Sequence, residues 1–295
     1  MKKIFCLALL CYTAFGFAQA NYSAASIPKE ITEYSNSVIL DELVEIDVTD
    51  INKMKVKTHR VIAVLNKLGD GDTRMYGFYD TNSKVKSIEA RIYNGQGKQI
   101  EHFKKNDFMD VSRTGSSIYS DDRMLGVRYT PTTYPYIVVF DREYETGDTA
   151  FLSPWVPLAD FAESTKKSVM KIKFNPTNKP KFKAKNLDGY NISISENPDE
   201  LIFSAQDLST IRYEEHCPSR SNIFPIVYVA LNNFKLKGYA GSGKDWSQFG
   251  SWMDKSLLSD VTELPAGTIA QVKSLVANET TNEGKARKIY QYVQD

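Results

Sequence analysis

The chain is predicted to be mainly β: an antiparallel β-sandwich, immunoglobulin-like or a larger two-sheet form, followed by a short helical segment. Three observations carry this. Apolar residues between about Ser37 and Leu231 recur with a period of two, the signature of half-buried strands. Turn residues punctuate them: Gly69-Asp70-Gly71-Asp72, Asn94-Gly95-Gln96-Gly97, Glu145-Thr146-Gly147-Asp148 and Asn197-Pro198-Asp199. After Gly238 the period changes to that of a helix. More than ten such strands, each with one apolar face, need two packed layers.

The strands follow in order. Val44, Ile46 and Val48 alternate with Glu45 and Asp47, and Met54 and Val56 alternate with Lys53, Lys55 and Lys57. Ile88, Ala90 and Ile92 alternate with Glu89 and Arg91. Tyr136, Val138 and Phe140 open a long strand ending near Glu145, and Met170, Ile172 and Phe174 alternate with Lys171 and Lys173. Tyr190, Ile192 and Ile194 continue the pattern, then Leu201 to Ala205, Ile211 to Tyr213 and Ile226 to Leu231. In Lys179-Pro180-Lys181-Phe182-Lys183-Ala184-Lys185 the lysines share one face of a strand, a solvated face that also discourages edge pairing.

After the loop Gly238 to Gly243, Trp246, Phe249, Met253 and Leu257 sit at helical spacing. Trp246 is expected to face the core and Trp252 to seal the sandwich against the helices. Pro265 opens a second helix with Ile269, Val272 and Val276 on one stripe. Thr280 and Glu283 have capping-box spacing, and Ala286, Ile289, Tyr290 and Val293 form an apolar stripe. No stop signal closes this last helix, so it is expected to begin a further domain.

Lys2 and Lys3, the apolar run Ile4 to Phe17 and Ala18-Gln19-Ala20 predict a secretory signal peptide cut after Ala20. The run is about 14 residues, short of the roughly 20 a span needs, so no membrane span is expected after cleavage. Cys11 follows Leu9 and Leu10, not the small residues of a lipoprotein site. The expected organisation is residues 1–20 signal peptide, 21–237 β-sandwich and 238–295 helical start of another domain. The expected location is periplasmic or secreted. The mature chain keeps only Cys217, so no internal disulfide is expected in that oxidising compartment. A net charge of +1 gives no electrostatic case for nucleic acid.

Candidate chemistry is sparse. A thiolate needs an adjacent base. His216 and Cys217 are sequence neighbours, so on extended chain they point to opposite faces. His59 and His102 have no placed cysteine partner. The histidines show no metal-ligand spacing, and Asp70 and Asp72 lack the remaining ligands of a calcium loop, leaving an acidic turn. No catalytic residue, metal site or cofactor is assigned. Tyr119, Asp121, Asp122 and Arg123 form a candidate binding surface: a polar clamp in which Arg123 pairs a substrate carboxylate. The alternative is that Asp121 or Asp122 pairs Arg123 and caps the loop. Trp155, in Phe151-Leu152-Ser153-Pro154-Trp155-Val156-Pro157, is either a sugar-stacking surface or packing between sheets. Peptide, protein or glycan are the candidate ligands.

A family resemblance adds to these readings. Val61 to Lys67, Tyr79-Asp80, Lys84-Val85, Ile88 to Tyr93, Asn94 to Lys98, Asp107, Asp110, Tyr119 to Arg123 and Tyr134-Pro135 resemble the bacterial secreted domain of unknown function 3857 (DUF3857). That domain usually precedes a transglutaminase-like domain. Trp252 and the helix ending in Lys288-Ile289-Tyr290-Gln291-Tyr292-Val293-Gln294-Asp295 are similar to the entry helix of such a domain. The resemblance implies a papain-like α+β domain downstream, with a Cys-His-Asp arrangement acting on amide bonds. Its cysteine follows a Gly-Asp-Cys segment that does not occur here, so no catalytic residue is carried over. The resemblance implies an accessory module: positioning or substrate-binding for the following domain, or a peptide- or glycan-binding or structural envelope protein without enzymatic activity.

Overall fold

The alternation becomes one broad sheet. The computed structural model describes residues 27–113, 121–259 and 263–294; the expected signal peptide and Tyr119 lie outside these. Helix α1 (Lys29–Thr32) leads into β1 (Ser37–Asp50), β2 (Lys53–Val64), β3 (Tyr76–Tyr79), β4 (Ser83–Asn94), β5 (Gln99–Phe103), β6 (Met109–Ser112), β7 (Arg123–Gly126) and β8 (Tyr136–Thr146). Then come β9 (Glu163–Phe174), β10 (Lys181–Lys185), β11 (Ile192–Glu196), β12 (Glu200–Leu208), β13 (Ile226–Ala230), β14 (Asn233–Leu236) and β15 (Tyr239–Ser242). Helices α2 (Trp246–Met253), α3 (Ala266–Leu275) and α4 (Asn282–Gln294) follow.

Eight strands form the main sheet, in the order β11-β12-β9-β1-β2-β8-β4-β5. Neighbours are antiparallel except the central pair β1 and β9, which is parallel. A parallel pair needs a long crossover, and all the chain from β2 to β8 supplies it. The entry of β9 beside that of β1 is fixed where the Asn36 amide donates to the Ala162 carbonyl at 2.6 Å.

The register gives the sheet two unlike faces. Lys55, Lys57 and His59 stand opposite Glu145, Glu143 and Asp141 on the solvated face. Lys53–Glu145 (3.1 Å), Lys55–Glu143 (2.9 Å) and Arg91–Asp141 (2.5 Å) are ion pairs there. Such pairs contribute little individually. Their importance is register: a one-residue slip would turn them into the core.

The other face is covered by three small sheets: β3-β7-β6, β10-β13 and β14-β15. The expected second layer is present and is divided among these three short sheets. Met170, Ile172, Leu201 and Phe203 pack with Trp155, Val227, Val229 and Phe234 in one cluster. Ile88, Ile92, Val138 and Phe140 pack with Met75, Phe108 and Leu125 in another. The β10 lysines alternate with Phe182, which meets Phe203 edge-on at 5.5 Å, as the tract's spacing predicts.

Several segments differ from expectation. Ile211 to Tyr213 form no strand. Tyr239 to Ser242, expected as loop, pair with β14, so this hairpin crosses the 237/238 boundary. Gly241 permits that: a Cβ there would lie 2.5 Å from Phe234 Cε2 and 2.7 Å from Trp252 Cε2. Trp246 does not face the core; it is 88% exposed. It is the first residue of α2, and Phe249 and Trp252 take the buried side instead. Trp252 meets Phe234 at 5.0 Å and donates from Nε1 to the Ala240 carbonyl at 2.8 Å. The cap of α4 is Thr281 rather than Thr280, its hydroxyl accepting from the Gly284 amide at 3.0 Å. Among the described residues, α3 and α4 bury none of theirs, and no helix is long and apolar enough to cross a membrane.

Candidate functional site

Arg123 opens β7 beside β3 and β6, and each strand contributes one polar group. Arg123 Nε donates to Asp110 Oδ1 at 2.9 Å and to the Tyr79 hydroxyl at 3.0 Å. Tyr79 donates in turn to Asp110 Oδ2 at 2.6 Å. Arg123 thus forms an ion pair with Asp110 on the neighbouring strand. The hydrogen bond from Tyr79 holds the Asp110 carboxyl below its usual range, and that to Asp110 holds Arg123 above its own. A ligand carboxylate reaching Arg123 has to compete with an aligned carboxylate already there.

Asp121 turns the other way and accepts from the Thr81 amide at 2.9 Å. That places oxygens of Asp80, Asp121 and Asp122 within 4.8 Å of one another. Lys237 Nζ lies 3.2 Å from Asp80 Oδ2, and Asp80 also accepts from Ser83 Oγ at 2.7 Å and the Asn82 amide at 3.0 Å. The Lys237 ammonium therefore supplies the cluster with positive charge, and a divalent cation would have to displace it. This grouping joins residues some forty positions apart, which sequence spacing does not reveal.

Trp155 does not join this surface. It is 2% exposed, stacks on Phe203 at 5.9 Å and donates from Nε1 to Ser168 Oγ at 3.0 Å. Its flanks are apolar because it fills the space between the layers. Asp70 and Asp72 lie on a 3-10 segment, Lys67–Thr73, in place of the expected turn. Asp70 accepts from the Tyr134 and Tyr136 hydroxyls at 2.8 and 2.9 Å, and Asp72 from Ser37 Oγ at 2.6 Å. His59 Nδ1 is 2.6 Å from Asp141, whose hydrogen bond pushes the imidazole above its usual value. His102 Nε2 is 3.2 Å from Glu89. Cys217 is a free, half-buried thiol.

One surface escaped the sequence reading. A groove of about 700 Å³ runs between the Phe151-Leu152 segment, Val229, Phe234 and α2. Phe151 and Trp246, 69% and 88% exposed, stand at it, with Phe249 along its wall. Large aromatic side chains left in water beside one groove mark an interaction surface more than a core. The available signal was Trp246 at the first position of a helix, where the following turn and not the first residue chooses the buried stripe. The groove offers apolar contact and carries no nucleophile–base pair among its lining residues.

Residues 52–212, more than half of the chain, match the family described as Domain of Unknown Function with solved-structure structure (DUF3857). No curated protein matches the chain. Among solved structures, a candidate protease from Parabacteroides distasonis superposes with TM-score 0.61 at 11% identity, covering 88% of this chain and 50% of that one. An M1 zinc metallopeptidase from Deinococcus radiodurans gives TM-score 0.29 at 9% identity, covering 82% and 53%. A candidate nutrient binding protein from Legionella pneumophila gives 0.27 at 10%, covering 87% and 80%. The first shares the fold; the other two are loose likenesses and carry no argument. The chain spans about half the length of the P. distasonis protein.

Proposed function

This chain belongs to the DUF3857 family, and from that premise we propose that it is the exported, non-catalytic β module of a transglutaminase-like protein. It positions, or holds substrate for, a downstream Cys-His-Asp domain acting on peptide amide bonds. The observation that carries this reading is the aromatic groove at the helical end of the sheet. Phe151 and Trp246 are exposed there, and on α4 Tyr290 and Val293 are exposed as well. These apolar faces suit contact with a folded neighbour. The Parabacteroides protein, of which this chain spans half, is described as a candidate protease, in keeping with an accessory role for this half.

The test is a thiol-directed probe applied to the protein encoded by the native gene. Labelling of a cysteine that follows Gly-Asp at a helix start supports the reading, and its absence refutes it. A second reading, a peptide- or glycan-binding envelope protein without enzymatic activity, draws on the exposed indole of Trp246. It expects a peptide or glycan to quench that indole in a protein that no thiol probe labels.

A further inference from the structure

Charge interrupts the core face of the main sheet. Glu42 on β1 is the register partner of Arg60 on β2, and Ser168 on β9 stands beside Glu42. Thr58 on β2 is opposite Arg142 on β8. These side chains form a polar belt between the two apolar clusters. A half-open cavity of about 270 Å³ lies on the belt, walled by Met170 and Trp155, with exposed Ser153 and Pro154 at its rim.

Neither arginine of the belt forms a close ion pair, although Glu42 and Glu163 attract Arg60 from a distance. Among the described residues, the arginines in ion pairs are Arg74, Arg91, Arg123, Arg220 and Arg287. Arg60, 7% exposed, donates from Nη2 to the carbonyls of Thr73 and Arg74. Arg142 donates from Nη1 to the Tyr76 carbonyl at a long 3.4 Å. The Nε atoms of both are buried and meet no acceptor. Arg142 lies 5.3 Å from the centre of the Tyr144 ring, a partial offset. Glu42, the carboxylate on the cavity wall, is engaged by Ser168 Oγ at 2.8 Å. Burial lowers the proton affinity of both guanidiniums. Taking such a charge out of water without a partner costs several kcal/mol, and a methionine or leucine would fill the same space without that cost.

We propose that this cavity binds the carboxylate of a small, partly apolar acid about the size of one amino-acid residue. Arg60 and Arg142 grip the carboxylate, Thr58 lies beside them, and Met170, Pro154 and Trp155 take the apolar body. At ~30 Å³ per water, the cavity holds roughly nine waters, or one acylated residue. The acid is either free or the C-terminus of a peptide entering past Ser153 and Pro154; both present the same group. The inference is independent of the groove at α2.

Isothermal titration of the full chain tests it with four probes: N-acetylleucine, its carboxamide, N-acetyl-Gly-Gly-Leu and the amide of that tripeptide. Saturable binding of the acids, with each amide at least about tenfold weaker, is expected. Arg142→Met removes a half-buried charge with no close ion-pair partner, so it is expected to fold and to bind the acids at least about tenfold more weakly. Arg142→Lys, which keeps the charge and loses the fork, decides the matter if the first variant fails to fold; it too should bind more weakly. Lys98→Ala, in the β4–β5 turn, should bind as the native chain does. A tighter tripeptide acid identifies a peptide C-terminus as the source, and a tighter single residue identifies a free acid. Absence of saturable binding up to about 10 mM overturns the proposal. Equal binding of acid and amide, or native affinity in the Arg142 variants, also overturns it.

Discussion

Glu163 makes stability fall with rising pH, and the size of the effect follows from its surroundings. Its side chain is fully buried at the start of β9. Oε1 accepts from the Ala159 amide at 3.2 Å. Arg74 Nη2 lies 3.2 Å from Oε2, yet Oε2 accepts no aligned hydrogen bond, so that attraction is incomplete. Burial wins over the pull of Arg74, with Asp72 adding to it, and the carboxyl is pushed up from 4.5 to about 7. A raised folded value means the native state binds the proton more tightly than the unfolded chain. The stability this contributes is complete below pH 4.5 and is lost as pH rises through about 7. A shift of that size, at ~1.36 kcal/mol per pKa unit, corresponds to about 3 kcal/mol, most of which falls between pH 5 and pH 8. Glu163→Gln removes the titration while keeping the shape. Urea unfolding of both proteins at pH 5, 6, 7 and 8 isolates it. His59, raised by Asp141, also loses stabilisation as pH rises, but it is present in both chains and cancels in the difference. Asp141 and Asp80, held below their usual range, are ionised throughout. The native chain should lose about 2–3 kcal/mol relative to Glu163→Gln across this range; parallel curves within about half a kcal/mol would refute the reasoning.

Gly241→Ala drives a methyl into the Phe234 and Trp252 rings and should cost about 1–3 kcal/mol, measured by urea unfolding. Trp155→Phe leaves Ser168 Oγ without its indole donor and opens space in the core; a loss of about 2–3 kcal/mol is expected in the same assay, with Ser168→Ala costing less. Trp246→Ala should leave the unfolding midpoint within the ~0.5 kcal/mol typical of surface changes, while weakening whatever docks in the α2 groove.

The strands were legible because a half-buried sheet imposes a period of two, and nothing else in the chain competes with it. Met54, Val56, Ile88, Ile92 and Met170 all face the core as their alternation predicts. The helical end was less legible. In α2 the sequence offers two apolar stripes, one through Trp246, Phe249 and Met253 and one through Phe249 and Trp252. Only the hairpin before it, whose Phe234 receives Trp252, decides between them. The loop residues were legible in place but not in partner. Arg123 has two acids directly before it, and its ion pair is nonetheless with Asp110, which the β6–β7 register places diagonally across, two residues before the Arg123 partner Ser112 and on the same face.

The arginine belt is the instructive failure, since its signal is in the sequence and is read only once the register is known. On β2, Arg60 falls in the phase of Met54, Val56 and Ile62, not that of Lys55 and Lys57. On β8, Arg142 falls in the phase of Val138 and Phe140. On β1, Glu42 falls in the phase of Val44 and Ile46. One charge in the apolar phase of one strand reads as an interruption or a strand end. Three such charges on three adjacent strands, Glu42 opposite Arg60 and Arg142 two residues further along, form a diagonal across the sheet, and the pleat turns all of them toward the same face. Removing them from water costs more than any surface ion pair on the opposite face returns.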